Sequence, residues 1–337
     1  MNPSAPNPEI IFSTLNAYQR SAALKGAIDL GLFTAVGQGN DTPEKIAAVC
    51  QADARAVRMV CDFLVVDQLL LKQNHRYTLS PTAAVFLDEK SPQYLGSIAK
   101  FTNDPILLTA FTDMKAVMQN GGTVLPQGGT TQLDFDRWVE FAESMEPLMQ
   151  APAGLIAGQV AAAFGDQPIR VLDLAASHGL FGIRVAQQCA AAEITGLDFE
   201  AVLEVAIKNA ADAGLADQYT TIAGDAFAVD FGTGYDCVLI TNLLHHFPLE
   251  KCEELLRKVR ACLKETGMVI TLEFVPNEDR VSPPVAATFA LTMLASTPNG
   301  DAYVFSEYEK IFTAAGFTQN ELMDVPNSPQ RVIVSRV

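Results

Sequence analysis

From Ile169 onward the chain alternates short apolar runs with helical stretches, and no other feature so narrows what it can fold into. The runs are Ile169–Leu174, Glu193–Asp198, Tyr219–Ala223, Tyr235–Thr241 and Met268–Phe274. Between and after them lie stretches of helical period at Leu180–Ala190, Ala201–Ala211, Leu249–Leu263, Pro284–Leu294 and Ser306–Ala315. Parallel strands cannot be joined by a tight turn; they need a crossover, usually a helix. Strand and helix in strict alternation therefore predict an α/β fold, a mostly parallel sheet with helices on both faces. Glu321–Val325 and Arg331–Val337 are separated by a short loop only. They predict a hairpin that brings in one antiparallel strand.

The segment before residue 166 reads differently. Apolar residues recur at helical spacing from Ile10 to Tyr18 and from Ala22 to Leu32. Thr42-Pro43 is a helix start, with Thr as N-cap and Pro at the first helical position. A second helix follows Asp53, with Val57, Val60, Cys61 and Leu64 on one face. Leu69–Leu79 then reads as two short strands around a polar turn at Gln73-Asn74-His75. Helix, helix and hairpin in that order predict a winged helix over residues 1–95.

A winged helix that binds DNA carries a basic recognition helix. Here Arg55 and Arg58 sit among Asp53, Asp62 and Asp67. The whole chain carries 23 basic and 39 acidic residues, a net charge of −16, the wrong sign for phosphate backbones or anionic membranes. A packing or dimer-forming role suits the domain better. Residues 96–165 form a connector in which Trp138, Phe141, Met145 and Met149 recur at helical spacing, as core or as the wall of a pocket. Residues 166–337 are the sheet domain. The six cysteines are scattered without C-x-x-C spacing, which predicts reduced thiols. No apolar run approaches the roughly 18 residues of a membrane span. The N-terminus lacks the basic flank and apolar stretch of a secretory signal, and a cytoplasmic location is expected.

In such a sheet, ligands bind beyond the C-terminal ends of the strands, near the switch point. Four strand ends deserve inspection. Asp173-Leu-Ala175-Ala176-Ser177-His-Gly179 is a turn of small residues between a strand and a helix, without the glycines of a nicotinamide-dinucleotide fingerprint. Asp198, followed by Phe199, ends the next strand. A carboxylate there can accept both hydroxyls of a ribose, or serve as N-cap of the following helix. Gly224-Asp225-Ala226-Phe227 offers an acceptor for an exocyclic amine and an aromatic face for a base. Thr241-Asn242-Leu-Leu-His245-His246 ends the fourth strand.

In their order and spacing these loops resemble the S-adenosylmethionine-dependent methyltransferases, in particular the two-domain plant and bacterial O-methyltransferases of the caffeate and hydroxyindole type. The resemblance extends over nearly the whole chain and includes Phe141-x-x-x-Met145 and Glu273. It implies a Rossmann-like methyltransferase sheet, an N-terminal winged-helix dimerisation domain and a homodimer. The family's D-x-G-G-G-x-G falls on Asp173 to Gly179, of which only Asp173 and Gly179 are kept. Asp198 falls on the ribose-binding acid, Asp225 to Phe227 on the adenine segment, and Thr241 where plant enzymes have a lysine near the methionine moiety. Phe141, Met145, Met149 and His246 fall to the acceptor.

His245 falls on the general base and Glu273 on one of two glutamates that brace it; the second falls on Ala302, flanked by Asp301 and Tyr303. His246 stands where the family often has Asp. Imidazole suits the task because it exchanges a proton near neutral pH. No metal is expected. The implied activity is O-methylation of an aromatic or polyketide-like small molecule. Related pigment methyltransferases raise the alternative of a carbon acceptor. A third reading, a regulator without activity, would want a basic recognition helix and no need of His245.

Overall fold

The computed structural model describes residues 6–132 and 137–337. These divide into two compact units, one up to Asp104 and one from Pro105.

The first unit is helical with one hairpin. Thr42 caps helix Pro43–Cys50 by accepting from the Lys45 amide at 3.4 Å. Asp53 caps helix Ala54–Val66 by accepting from Ala56 at 2.9 Å. Strands β1 (Leu70–Gln73) and β2 (Arg76–Leu79) are joined by Asn74 and His75, both left-handed. Two positive φ angles in a two-residue loop match the twist of a hairpin. Tyr77 donates its hydroxyl to Asp62 at 2.7 Å, which ties the hairpin to helix Ala54–Val66. Leu32, Phe33, Ile46, Cys61, Leu64 and Leu70 fill the core. Arg58 is ion-paired with Asp62 on its own helix. Helix Glu9–Leu15 buries nothing and exposes Ile10, Ile11, Phe12 and Leu15.

The second unit is built on a seven-stranded sheet. Its strands are β3 (Ile169–Leu174), β4 (Ala192–Asp198), β5 (Tyr219–Ala223), β6 (Tyr235–Thr241), β7 (Leu263–Glu273), β8 (Gln319–Asp324) and β9 (Arg331–Arg336), in the order β5-β4-β3-β6-β7-β9-β8. The first five are parallel, and β9 runs against both β7 and β8. This is the expected mostly parallel sheet with one reversed strand. β7 starts five residues early because its charged head, Lys264-Glu265, carries no strand signal. Lys264 instead reaches Asp236 at 2.7 Å.

Alternation along the strands sorts the core onto two faces. Val171, Leu239, Ile270 and Leu272 meet Ile156, Val160, Phe181 and Val185 on one side. Leu172, Val238, Ile240 and Val269 meet Leu255, Leu256, Val259 and Phe312 on the other. Helix Arg137–Phe164 runs on far past the stripe that ends at Met149, through Pro147 and Pro152. Each Pro removes one backbone donor, but Ala153, Ile156, Ala157 and Val160 are fully buried, and that packing holds the helix together. The expected start of this helix at Asp134 lies outside the described residues.

Residues 105–131 form short helices and a turn that lies against the end of helix Pro284–Ser296. Gly129 permits that approach: a Cβ there would stand 2.2 Å from the Ser296 carbonyl oxygen. Among the described residues no helix is long and apolar enough to cross a membrane.

Leu256 is wholly buried on the helix Leu249–Cys262 side of the sheet. Leu256→Ala should lower stability by about 3 kcal/mol through lost transfer energy and a cavity. Denaturant unfolding checks this; an unchanged midpoint would contradict the packing described.

Candidate active site

A cavity of about 410 Å³ opens at the C-terminal ends of β3, β4, β5 and β6. This is the switch point of the sheet, where β4 and β6 flank β3 and the crossovers go to opposite sides. Ala175, Ser177, Asp198, Phe199, Gly224, Asp225, Ala226, Phe227, Thr241 and Asn242 line it, as do Phe141, Met149 and His246. Asp173, Gly179, Met145 and the expected catalytic pair His245 and Glu273 do not; they are packed behind or beside the wall, where His246 and not His245 stands.

Asp173 lies under the loop rather than on the wall. It is fully buried and accepts from the Gly182 amide at 2.9 Å, which fixes the start of helix Leu180–Gln188. Gly179 is the N-cap of that helix at φ 72°, and a Cβ there would stand 3.0 Å from Ala206 and from the Tyr219 hydroxyl. Between them Ala175 and Ser177 hold φ of 57° and 52°, left-handed without being glycine. Met145 is half-buried on helix Arg137–Phe164, one turn short of Met149.

Asp198 accepts from the Ser177 and Phe199 amides, both at 2.8 Å. It does not cap the next helix, whose N-cap is Phe199 with no side-chain bond. Gly224 donates to the Asp198 carbonyl at 2.9 Å, so the ends of β4 and β5 stay together. Asp225 accepts from the Phe227 amide at 2.9 Å, and Phe227 meets Phe247 edge-on. Asn242 is also left-handed, at φ 55°. Its side-chain oxygen accepts from Gln330, and its amide faces the Met149 sulfur at 3.6 Å.

The two histidines differ. His245 is 3% exposed, and its Nδ1 is hydrogen-bonded to Glu273 Oε2. Glu273 Oε1 accepts from the Leu243 and Leu244 amides at 3.1 and 2.8 Å. Phe289 stands edge-on to the His245 ring at 4.9 Å, stacked in turn on Phe274. Asp301 does not reach the ring: its amide donates to the His245 carbonyl and its carboxylate meets Ala302 and Arg280. The Tyr303 hydroxyl is given to the Phe247 carbonyl. Glu273 is thus the carboxylate on His245, and Ala302, between Asp301 and Tyr303, is buried and brings no polar side chain.

His246 is on the cavity wall, with Trp138 edge-on at 5.4 Å. Thr130 lies 3.4 Å from its Nδ1 and 3.2 Å from the Ser296 carbonyl. The one hydroxyl proton goes to the carbonyl, which has none to give, so His246 Nδ1 donates to Thr130. Burial and the neighbouring His245 hold His246 well below the usual imidazole range, so it is neutral.

Thr130, Trp138, His178, Phe181, Phe247 and Lys251 also line the cavity. Trp138 showed only as a helical stripe. The others stand on loops and helices whose sequence carries no signal of a site.

The comparisons with known proteins follow this geometry. An O-methyltransferase domain family matches residues 134–318, and an O-methyltransferase dimerisation domain family matches residues 12–89. The chain belongs to the O-methyltransferase family. Among solved structures, a candidate O-methyltransferase from Nostoc punctiforme is 47% identical, with a TM-score of 0.95 over 99% of this chain and 100% of that one. The 3-hydroxy-5-methyl-1-naphthoate 3-O-methyltransferase of Streptomyces sahachiroi is 24% identical over 94% of this chain and 91% of its own. The L-tyrosine C(3)-methyltransferase of Streptomyces lavendulae is 31% identical over 49% of this chain and 46% of its own. The expected S-adenosylmethionine-dependent O-methyltransferase, with a Rossmann-like sheet and an N-terminal dimerisation domain, is borne out.

Burial dominates the electrostatics of the acids on and beneath the cavity wall. Burial pushes the Asp198 carboxyl up to about 6, against the pull of two amides. Burial and the nearby Asp198 push Asp173 up to about 7, against the Gly182 amide. His178 goes down to about 4, and Tyr219 well up, both first through burial. Asp173 Oδ1, Ser177 Oγ and the Tyr219 hydroxyl are buried without a protein partner.

A carboxyl whose folded pKa is raised favours the native state below its unfolded pKa, and that contribution is lost as pH rises through the folded value. For Asp198 the window is about pH 4 to 6. Asp198→Asn removes the titration, so the melting temperature of the variant should gain on the wild type as pH rises from about 4.5 to about 7. A constant difference between the two melting curves across that range would contradict the buried carboxylate.

Proposed function

We propose that the protein transfers the methyl group of S-adenosylmethionine to a hydroxyl on an aromatic or polyketide-like acceptor, with His245 as general base and Glu273 as its orienting partner. The observation that carries this reading is the buried Glu273–His245 pair at the end of β6, next to a largely apolar cavity. Asp198 would hold the ribose hydroxyls, Asp225 to Phe227 the adenine, and Ala175 with Thr241 and Asn242 the methionyl part. The buried acids and the unpartnered Ser177 hydroxyl fit such a group, which brings hydroxyl and ammonium donors.

When bound, the sulfonium supplies an electrophilic methyl group on a good neutral leaving group. The chain does the rest. Glu273 takes Nδ1–H and so leaves Nε2 as the nitrogen that accepts the acceptor's proton. Held by the Leu243 and Leu244 amides, the Glu273 carboxylate stabilises the imidazolium that forms. Phe141, Met149 and His246 wall the acceptor, and apolar walls exclude water. Positioning contributes much of the rate in an in-line displacement.

A carbon acceptor is the second reading. It is favoured by the similarity to a C(3)-methyltransferase and by Ala302 at the place of the second glutamate. A ring carbon activated by its own substituents loses its proton after methyl transfer and leans less on a base.

The exposed apolar helix Glu9–Leu15, in the segment that begins the dimerisation match, supports a homodimer through the N-terminal domain. A cytoplasmic location fits the enzyme class.

His245→Ala should lower turnover roughly 10²–10⁴-fold, the usual worth of a positioned base. Binding of S-adenosylhomocysteine should stay near wild type. Turnover that survives the substitution rejects the hydroxyl mechanism in favour of the carbon acceptor. Asp198→Ala should weaken S-adenosylhomocysteine roughly 30–150-fold through loss of a charged acceptor; calorimetry with unchanged affinity would remove the ribose assignment. Light scattering should give a particle of twice 36.2 kDa, and a monomer at micromolar concentration would refute the dimer.

A further inference from the structure

Where the family's turn has three glycines in a row, this chain has Ala175, Ala176 and Ser177. Two of the three hold a conformation that suits glycine: φ is 57° at Ala175 and 52° at Ser177. A side chain at such an angle is a standing strain that glycine would not carry. At Ala175 nothing polar is gained for it. At Ser177 the side chain is a hydroxyl that is buried, has no protein partner and belongs to a residue on the cavity wall. A buried polar atom without a partner is a second unfavourable feature at the same residue. The Ser177 amide donates to Asp198 Oδ2 at 2.8 Å, so the residue lies against the carboxylate at the tip of β4. The neighbouring amides are committed elsewhere: Ala176 to the Leu197 carbonyl at 3.0 Å, and Gly179 to the Ala176 carbonyl at 2.7 Å. Neither of those amides is therefore free to serve the Ser177 hydroxyl.

We propose that Ser177 is an affinity residue for the cofactor, its hydroxyl joining Asp198 in holding the ribose edge, so that this chain exchanges some stability of the empty turn for tighter nucleoside binding. The proposal rests on the reading of Asp198 as the ribose acceptor and extends it to a residue where the family pattern offers only backbone. Asp198 supplies acceptors alone, whereas a hydroxyl both donates and accepts. The pair can therefore take both ribose hydroxyls whichever way their protons point. Ligand binding removes the penalty of the unpartnered hydroxyl, and the strain remains as a cost of the empty and loaded forms alike.

The test measures two quantities, the Kd for S-adenosylhomocysteine by calorimetry and the melting temperature of the protein without ligand. Ser177→Ala keeps the left-handed side chain and removes the hydroxyl. Its Kd should rise roughly 5–20-fold, the range for a lost hydrogen bond to a buried group, with the melting temperature equal to wild type or up to about 2 °C above it as the unpartnered hydroxyl is lost. Ser177→Gly removes both. Its Kd should rise as much, while its melting temperature rises by about 1–3 °C as the strain is relieved. Ala175→Gly isolates the strain and should raise the melting temperature similarly.

The same Kd loss in Ser177→Ala should appear with 5′-methylthioadenosine, which has the ribose and lacks the amino-acid end. A loss seen with S-adenosylhomocysteine and absent with methylthioadenosine overturns the ribose contact. A Kd within twofold of wild type in Ser177→Ala overturns the proposal outright, provided Asp198→Ala weakens binding in the same assay. If neither variant weakens it, the reading of Asp198 falls, and this proposal falls with it. A melting temperature that drops in Ser177→Gly removes the strain half of the argument.

Discussion

The Glu273 carboxylate is the joint on which the catalytic side of the site turns. It ends β7 with no exposed surface and accepts from the Leu243 and Leu244 amides and from His245 Nδ1. A buried charge is tolerable only when its acceptors are filled, and here three donors come from the loop after β6. The bond that orients the histidine is thus also the bond that closes the loop onto the neighbouring strand. Gly300 completes the clamp from the other side: a Cβ there would stand 2.3 Å from the His245 carbonyl oxygen, so the chain can close in only without a side chain.

The cofactor side works by the opposite logic. Glu273 is saturated with donors, but Asp173 keeps one oxygen without a partner, and Asp198 is raised by burial more than its two amides lower it. An acid left short of donors in a buried place is destabilising by itself; Asp198 is on the cavity wall, within reach of a ligand that donates, whereas Asp173 lies under the loop. The left-handed residues Ala175, Ser177 and Asn242 belong to the same pattern, since all three line the cavity and none is glycine. Three left-handed residues and the unpartnered Ser177 hydroxyl thus stand where the nucleoside is proposed to bind.

The acceptor side is mostly apolar, but its polar edge is specific. His246 is neutral, with Nδ1 committed to Thr130, so its remaining nitrogen is an acceptor at the wall. Where the family often has Asp, a charge, this chain offers an uncharged acceptor. Lys251 lies over Phe227 at 5.9 Å and is paired with Glu254, at the Phe227 end of the cavity.

Most strands and helices of the sheet domain could be read within a residue or two, because period-two and period-3.6 apolar patterns are local and burial enforces them. The four loops at the strand ends were legible for the same reason: a parallel sheet puts every strand's C-terminal end on one edge, so the loops that carry Asp198, Asp225 and His246 line one cavity. Three things were not legible. Helix Arg137–Phe164 crosses two prolines because distant strands bury its far half, and local rules weigh only the missing donors. Met145 and Met149 share a stripe, yet only Met149 reaches the cavity, since helix rotation is fixed by what packs behind it. Thr130, Phe289 and Gln330 join the histidines and Asn242 from far along the chain, through contacts that no spacing encodes. Pattern determined which residues stand at the sheet's edge, because alternation and crossover geometry are properties of the chain itself; packing between remote segments decided which way each side chain faces and what holds it there.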